Sequence, residues 1–107
     1  MSGQWTAVGR QGDIAPGEHR VVECDGTRIA VFNVAGEFFA IEDVCTHDGG
    51  GLAGGRVEGD QVICPRHGAR FCVRTGAALT APAYEPAATL PLRIRDGLVE
   101  VRDDRWD

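Results

Sequence analysis

The 107-residue sequence holds no apolar run approaching the ~20 residues that span a bilayer. Its opening stretch, MSGQWTAVGRQGD, has no basic segment followed by an apolar one, so no secretory signal is expected. Positive charge is also short: 16 acidic residues stand against 11 basic ones, a formal charge of −5. That balance argues against a nucleic-acid binder, which carries a basic patch, and suits a partner with a positive docking face. No segment shows a sustained apolar stripe at helical spacing, and no unit of about 20 to 50 residues repeats. A cytoplasmic location follows by default. In that reducing compartment the four cysteines are expected as metal ligands, catalysts or buried thiols rather than disulfides.

What is present reads as strands and turns. The 15 glycines and 5 prolines imply many turns and short elements. Trp5 to Val8 is a first strand. HRVVEC (19–24) and TRIAVFNV (27–34) flank Asp25-Gly26, a hairpin signal. Ala35-Gly36 then turns the chain into EFFAIEDV (37–44). The glycine-rich THDGGGLAGGRVEGD reads as a loop. Gly59-Asp60 leads into QVICP, ARFCV follows, and TAPAYEPAATLP is an ordered proline loop. LRIR, Asp96-Gly97 and LVEV make a last hairpin, and RDDRWD a surface tail. Strands this closely spaced point to an all-β sandwich or barrel.

Two short stretches carry the chemistry. CTHDGGG begins at Cys45 and CPRHGAR at Cys64, giving the pattern C-x-H, sixteen residues, C-x-x-H. Thiolate and neutral imidazole both suit borderline metals, and the neighbouring glycines let the backbone pass close to a bulky centre. Cys45, His47, Cys64 and His67 are therefore the candidate ligands of one site. Two readings fit the set: a zinc tetrahedron, or a two-iron, two-sulfide cluster with sulfur donors on one iron and nitrogen donors on the other. Zinc knuckles usually separate paired ligands by at least two residues, which C-x-H does not.

The stretch CTHDGGGLAGG…ICPRHGARFCVRTG resembles the Rieske iron–sulfur proteins, and the likeness extends over nearly the whole chain. It implies an antiparallel β-sandwich or barrel, residues 1–107 as one domain, with a small cluster-binding subdomain of loops over roughly 43–83. It also implies one [2Fe–2S] cluster per chain, Cys45 and Cys64 on the inner iron, and His47 and His67 on the outer iron through Nδ1. With two ferric ions, two sulfides and two thiolates the oxidised centre is neutral, so its potential lies above that of all-cysteine ferredoxins.

Departures from the family pattern narrow the type. High-potential respiratory members carry a disulfide whose matching positions here are Gly50 and Arg66. Their sulfur-directed Ser and Tyr hydroxyls match Ala69 and Phe71. A potential near the low end of the Rieske range, roughly −150 mV, is expected. Neither a membrane anchor nor a second catalytic domain is expected. The resemblance is thus to the small ferredoxins that carry electrons from an NAD(P)H-dependent flavin reductase to a terminal aromatic-ring dioxygenase. Such a carrier is not itself an enzyme, docks both partners transiently, and needs no more than a monomer, with no membrane or nucleic acid involved. The alternatives are the small subunit of an assimilatory nitrite reductase and a zinc-binding interaction module.

Cys24 and Cys72 are expected to be buried free thiols, and His19 a surface residue. Asp48, Arg66 and Arg70 flank the ligands, for docking and tuning or as solubilising and structural charges. Glu37, Glu42 and Asp43 could extend an acidic docking face, although strand alternation keeps the three from pointing the same way. Pro82 and Pro86 lie in the loop that covers the cluster in the family.

Overall fold

The structure is a computed structural model and describes residues 5–46 and 48–103. Its strands are β1 (Thr6–Arg10), β2 (His19–Cys24), β3 (Thr27–Val34), β4 (Glu37–Glu42), β5 (Val57–Glu58), β6 (Gln61–Ile63), β7 (Arg70–Cys72), β8 (Leu92–Arg95) and β9 (Leu98–Val101). A single 3-10 turn, Gln11–Asp13, is the one helical element among the described residues. The strands form three antiparallel sheets ordered β1-β9-β8, β2-β3-β4 and β5-β6-β7. The all-β architecture is the one expected from the sequence.

The hairpin signals work as read. Asp25-Gly26 and Asp96-Gly97 both hold positive φ at the two central positions, the type I′ pattern that matches strand twist. Ala35-Gly36 does the same with alanine at φ +53, and the Asn33 side chain secures that turn by accepting the Gly36 N–H at 2.8 Å.

β3 organises the interior. After Arg28 every residue of TRIAVFNV is buried, so the strand is covered on both faces. Alternation divides it. Ala30, Phe32 and Val34 join one core with Ile41, Leu52, Val62, Phe71 and Val73. Ile29 and Val31 join a second with Val8, Ile14, Leu90, Val99 and Val101. The β2-β3-β4 sheet is therefore the shared wall between the terminal β1-β9-β8 sheet and the small β5-β6-β7 sheet that carries the second ligand loop.

Three expectations change. The glycine-rich stretch contains a strand, β5, only two residues long and thus too short to show alternation. The strand ending before the first ligand box stops at Glu42, because Asp43 turns inward and is buried. The start of the presumed tail is built into the fold: Asp103 is fully buried and accepts a 2.6 Å hydrogen bond from Thr27 Oγ1. The rest of that tail, 104–107, lies outside the described residues.

Candidate metal centre

The first ligand loop leaves β4 and the second joins β6 to β7. Each closes on itself in the same way. The Cys45 N–H donates to the Gly50 carbonyl at 2.6 Å, and the Cys45 carbonyl accepts from Gly49 N at 2.7 Å. In the second loop Cys64 donates to Ala69 at 2.7 Å and accepts from Gly68 at 3.0 Å. Gly49 and Gly68 sit at φ +77 and +75, a conformation glycine adopts without strain. The same wiring recurs at Cys72, Gly76 and Ala77, so the turn is a folding device. What marks the first two copies is their histidines and the direction in which their cysteines face.

Those cysteines both face inward. Cys45 is 0% and Cys64 1% exposed, and both belong to the core cluster around Phe71 and Leu52. Their sulfurs and a carboxylate oxygen of Asp48 all lie within 4.8 Å of one another. Burial pushes the Cys64 thiol up. The main-chain N–H groups of Arg66 and His67, the Cys45 side chain and the Arg66 charge act the other way and outweigh it, leaving the thiol below its ordinary value. Two buried sulfurs, one favoured as thiolate by amide donors, suit a thiolate-ligated iron–sulfur group. His67 is exposed at the rim, with Nε2 4.0 Å from Asp48 Oδ2, and its ring nitrogens are outside the 4.8 Å donor set. His47, the fourth expected ligand, lies outside the described residues.

Side chains outside the ligand boxes hold the loops. Asp43 Oδ1 accepts the N–H groups of Leu52 and Ala53, each at 2.7 Å, and Oδ2 meets Arg28 Nη2 at 3.4 Å. Asp43 is thus an internal anchor of the first loop, not part of an acidic face. The GGGLAGG run could have announced it, because bare main-chain donors entering a core need an acceptor. Thr46 Oγ1 donates to the Glu85 carbonyl at 2.5 Å, tying the proline loop to the first ligand loop. Ala83 and Ala87 bury that loop against the core. Gly76 is required there, since a Cβ would run into the Ala87 carbonyl.

The flanking arginines divide. Arg70 Nη1 bonds Glu58 Oε1 at 2.9 Å and Gln61 Oε1 at 3.1 Å, a brace across β5, β6 and β7. Its hydrogen bond and charge hold the Glu58 carboxyl below the usual range. Arg66 instead reaches the first ligand loop. Nε and Nη2 grip the two Asp48 oxygens at 2.5 and 3.0 Å, and Nη2 also donates to the Gly51 carbonyl at 3.0 Å. The Asp48 hydrogen bond raises the guanidinium above its ordinary pKa. Cys24 is a buried free thiol accepting from Thr6 Oγ1 at 3.3 Å. Cys72 is free but half-buried, because it lies on the opposite face of β7 from buried Phe71. His19 is exposed, as expected.

With this geometry established, known proteins supply the family. The Rieske [2Fe-2S] domain family matches residues 4–91. The chain is 46% identical over 91 residues to the biphenyl dioxygenase ferredoxin subunit of Pseudomonas sp. (strain KKS102), covering 82% of this chain and 84% of that protein. It is 43% identical over 98 residues to the biphenyl 2,3-dioxygenase ferredoxin component of Rhodococcus jostii (strain RHA1), covering 90% and 92%. Its fold also matches a chain in the complex of reduced oxygenase and oxidised ferredoxin of carbazole 1,9a-dioxygenase, with a TM-score of 0.88, 35% identity and 92% coverage of both. This chain belongs to the Rieske [2Fe–2S] domain family, whose domain binds a [2Fe–2S] cluster.

Proposed function

We propose that Cys45, His47, Cys64 and His67 hold the [2Fe–2S] cluster within a loop subdomain spanning roughly 43–83. The chain then serves as a one-electron carrier between an NAD(P)H-dependent flavin reductase and a terminal aromatic-ring dioxygenase in the cytoplasm. It is not itself the enzyme. The observation that carries this reading is the convergence of two buried cysteine sulfurs from separate, identically wired loops. Bound there, the cluster supplies a reversible one-electron couple. The chain's residues do the rest. The core around Leu52 and Phe71 keeps water from the sulfur side. The amides of Arg66 and His67 favour the Cys64 thiolate. His67 is exposed where a docking protein can approach.

The match to the Rieske [2Fe-2S] domain family favours this reading over a zinc module. The ferredoxin relatives support the carrier role and the oxygenase partner.

The test is reconstitution. Purified protein is expected to be reddish-brown, to give a Rieske-type paramagnetic resonance spectrum when reduced, and to restore NAD(P)H-dependent turnover of a terminal oxygenase mixed with its reductase. A colourless, iron-free protein after expression with ample iron would refute the reading.

A further inference from the structure

Each ligand loop closes its main chain on itself, and among the described residues no main-chain hydrogen bond joins one loop to the other. Arg66 supplies a side-chain connection, beside the 4.0 Å approach of His67 Nε2 to Asp48 Oδ2. It stands in the second loop, between Cys64 and His67, and grips the first loop at Asp48 and Gly51 through three hydrogen bonds. Two of them form a planar fork on a carboxylate, the arrangement in which arginine differs most from lysine. Gly50 makes room for it. A Cβ on Gly50 would stand 2.6 Å from Arg66 Cζ and Nη2, so the guanidinium occupies the space a side chain there would take. Gly50 itself does not have positive φ, so its lack of a side chain serves this contact rather than backbone strain. A link between hydrogen-bond partners and an independent steric fit point to the same side chain.

We propose that Arg66, seated on Gly50 and bonded to Asp48 and Gly51, is a positioning residue that clamps the two ligand loops together and sets how long the protein retains its metal centre. The clamp rests on the cluster reading above. Opening the centre requires the loops carrying Cys45 and Cys64 to separate, and the guanidinium bridge opposes that separation. Because the bridge is ionic and partly exposed, with side chains 39% and 20% accessible, salt weakens it. The proline loop also holds the first ligand loop, through Thr46 and Glu85. Loss of the clamp therefore loosens the pair of loops without unfolding the β-sheets.

The experiment follows bleaching of the visible absorbance of oxidised holoprotein in excess EDTA. R66A is expected to lose its colour about five- to tenfold faster than the parent, the effect of removing a charged bidentate contact at a partly exposed site. R66K, which keeps the charge but not the fork, should fall between them. G50A changes no charge, yet should behave like R66A, and adding G50A to R66A should have no further effect. In 1 M NaCl the gap between parent and R66A should narrow. Visible circular dichroism of freshly prepared R66A and G50A should match the parent, separating retention from assembly. Bleaching of R66A within twofold of the parent, or a G50A effect that persists undiminished in the R66A background, would overturn the clamp while leaving the carrier reading intact. A colourless parent protein would overturn both.

Discussion

Replacing Asp43 tests whether the first ligand loop is held by satisfied main-chain donors or by an ion pair. Its Oδ1 accepts the N–H groups of Leu52 and Ala53, and its side chain is 1% exposed. D43A leaves both donors without that acceptor. An unsatisfied buried donor costs about 1–3 kcal/mol. Leu52 is fully buried and Ala53 only half, so water can reach the second donor and the total comes to about 3 kcal/mol. At about 4–8 °C per kcal/mol for a domain near this size, the melting temperature should fall by about 12–24 °C. Arg28 is the contrast. Its guanidinium meets the same carboxylate at 3.4 Å but is 65% exposed, so R28A should cost no more than about 1 kcal/mol. D43N keeps an acceptor in place and should fall between them. Urea unfolding followed by far-ultraviolet circular dichroism measures all three, with an unchanged m value expected. A loss below about 1 kcal/mol for D43A, or an R28A loss equal to that of D43A, would refute the anchoring argument.

Further expectations rest on other parts of the molecule. Arg70 depresses the Glu58 pKa in the folded state, so the pair stabilises the fold above the ordinary carboxylate pKa and ceases to do so as pH falls through the lowered value. The stability difference between parent and E58Q, read from urea midpoints, should therefore vanish on acidification, and a difference that grows would contradict the assignment. Ala69 and Phe71 are fully buried and carry no side-chain hydrogen-bond donor, so voltammetry should give a midpoint near the low end of the Rieske range, roughly −150 mV. A value above zero at neutral pH counts against this, and A69S should raise the midpoint. C45S and C64S should lose the visible spectrum, whereas C24S and C72S should keep it. Loss of colour in either of the latter would bring a further cysteine into the ligand set.

Strand order was readable along the chain because local signals carry it. Asp-Gly pairs at 25–26 and 96–97 and the apolar run from Ile29 to Phe32 in β3 are properties of adjacent residues. The paired Cys/His boxes were legible for the same reason: spacing is a one-dimensional fact. β5 escaped because two residues contain no period, and it exists only through pairing with β6 across Gly59-Asp60.

The sequence alone determined the residue types on offer: two Cys/His pairs in two loops, a negative charge balance and a chain of short strands. Tertiary structure decided which groups meet. Asp43 looks like any acidic residue after a strand until Leu52 and Ala53 turn their N–H groups toward it. Thr27 and Asp103 are 76 positions apart and meet only because the terminal sheet packs against β3. Arg66 was one of several charges near a ligand, and its partners emerged only when two loops, 18 residues apart at Asp48 and Arg66, converged. Composition and periodicity encode what each segment can do locally. Hydrogen bonds and close contacts depend on distances of a few ångströms that only the folded chain sets.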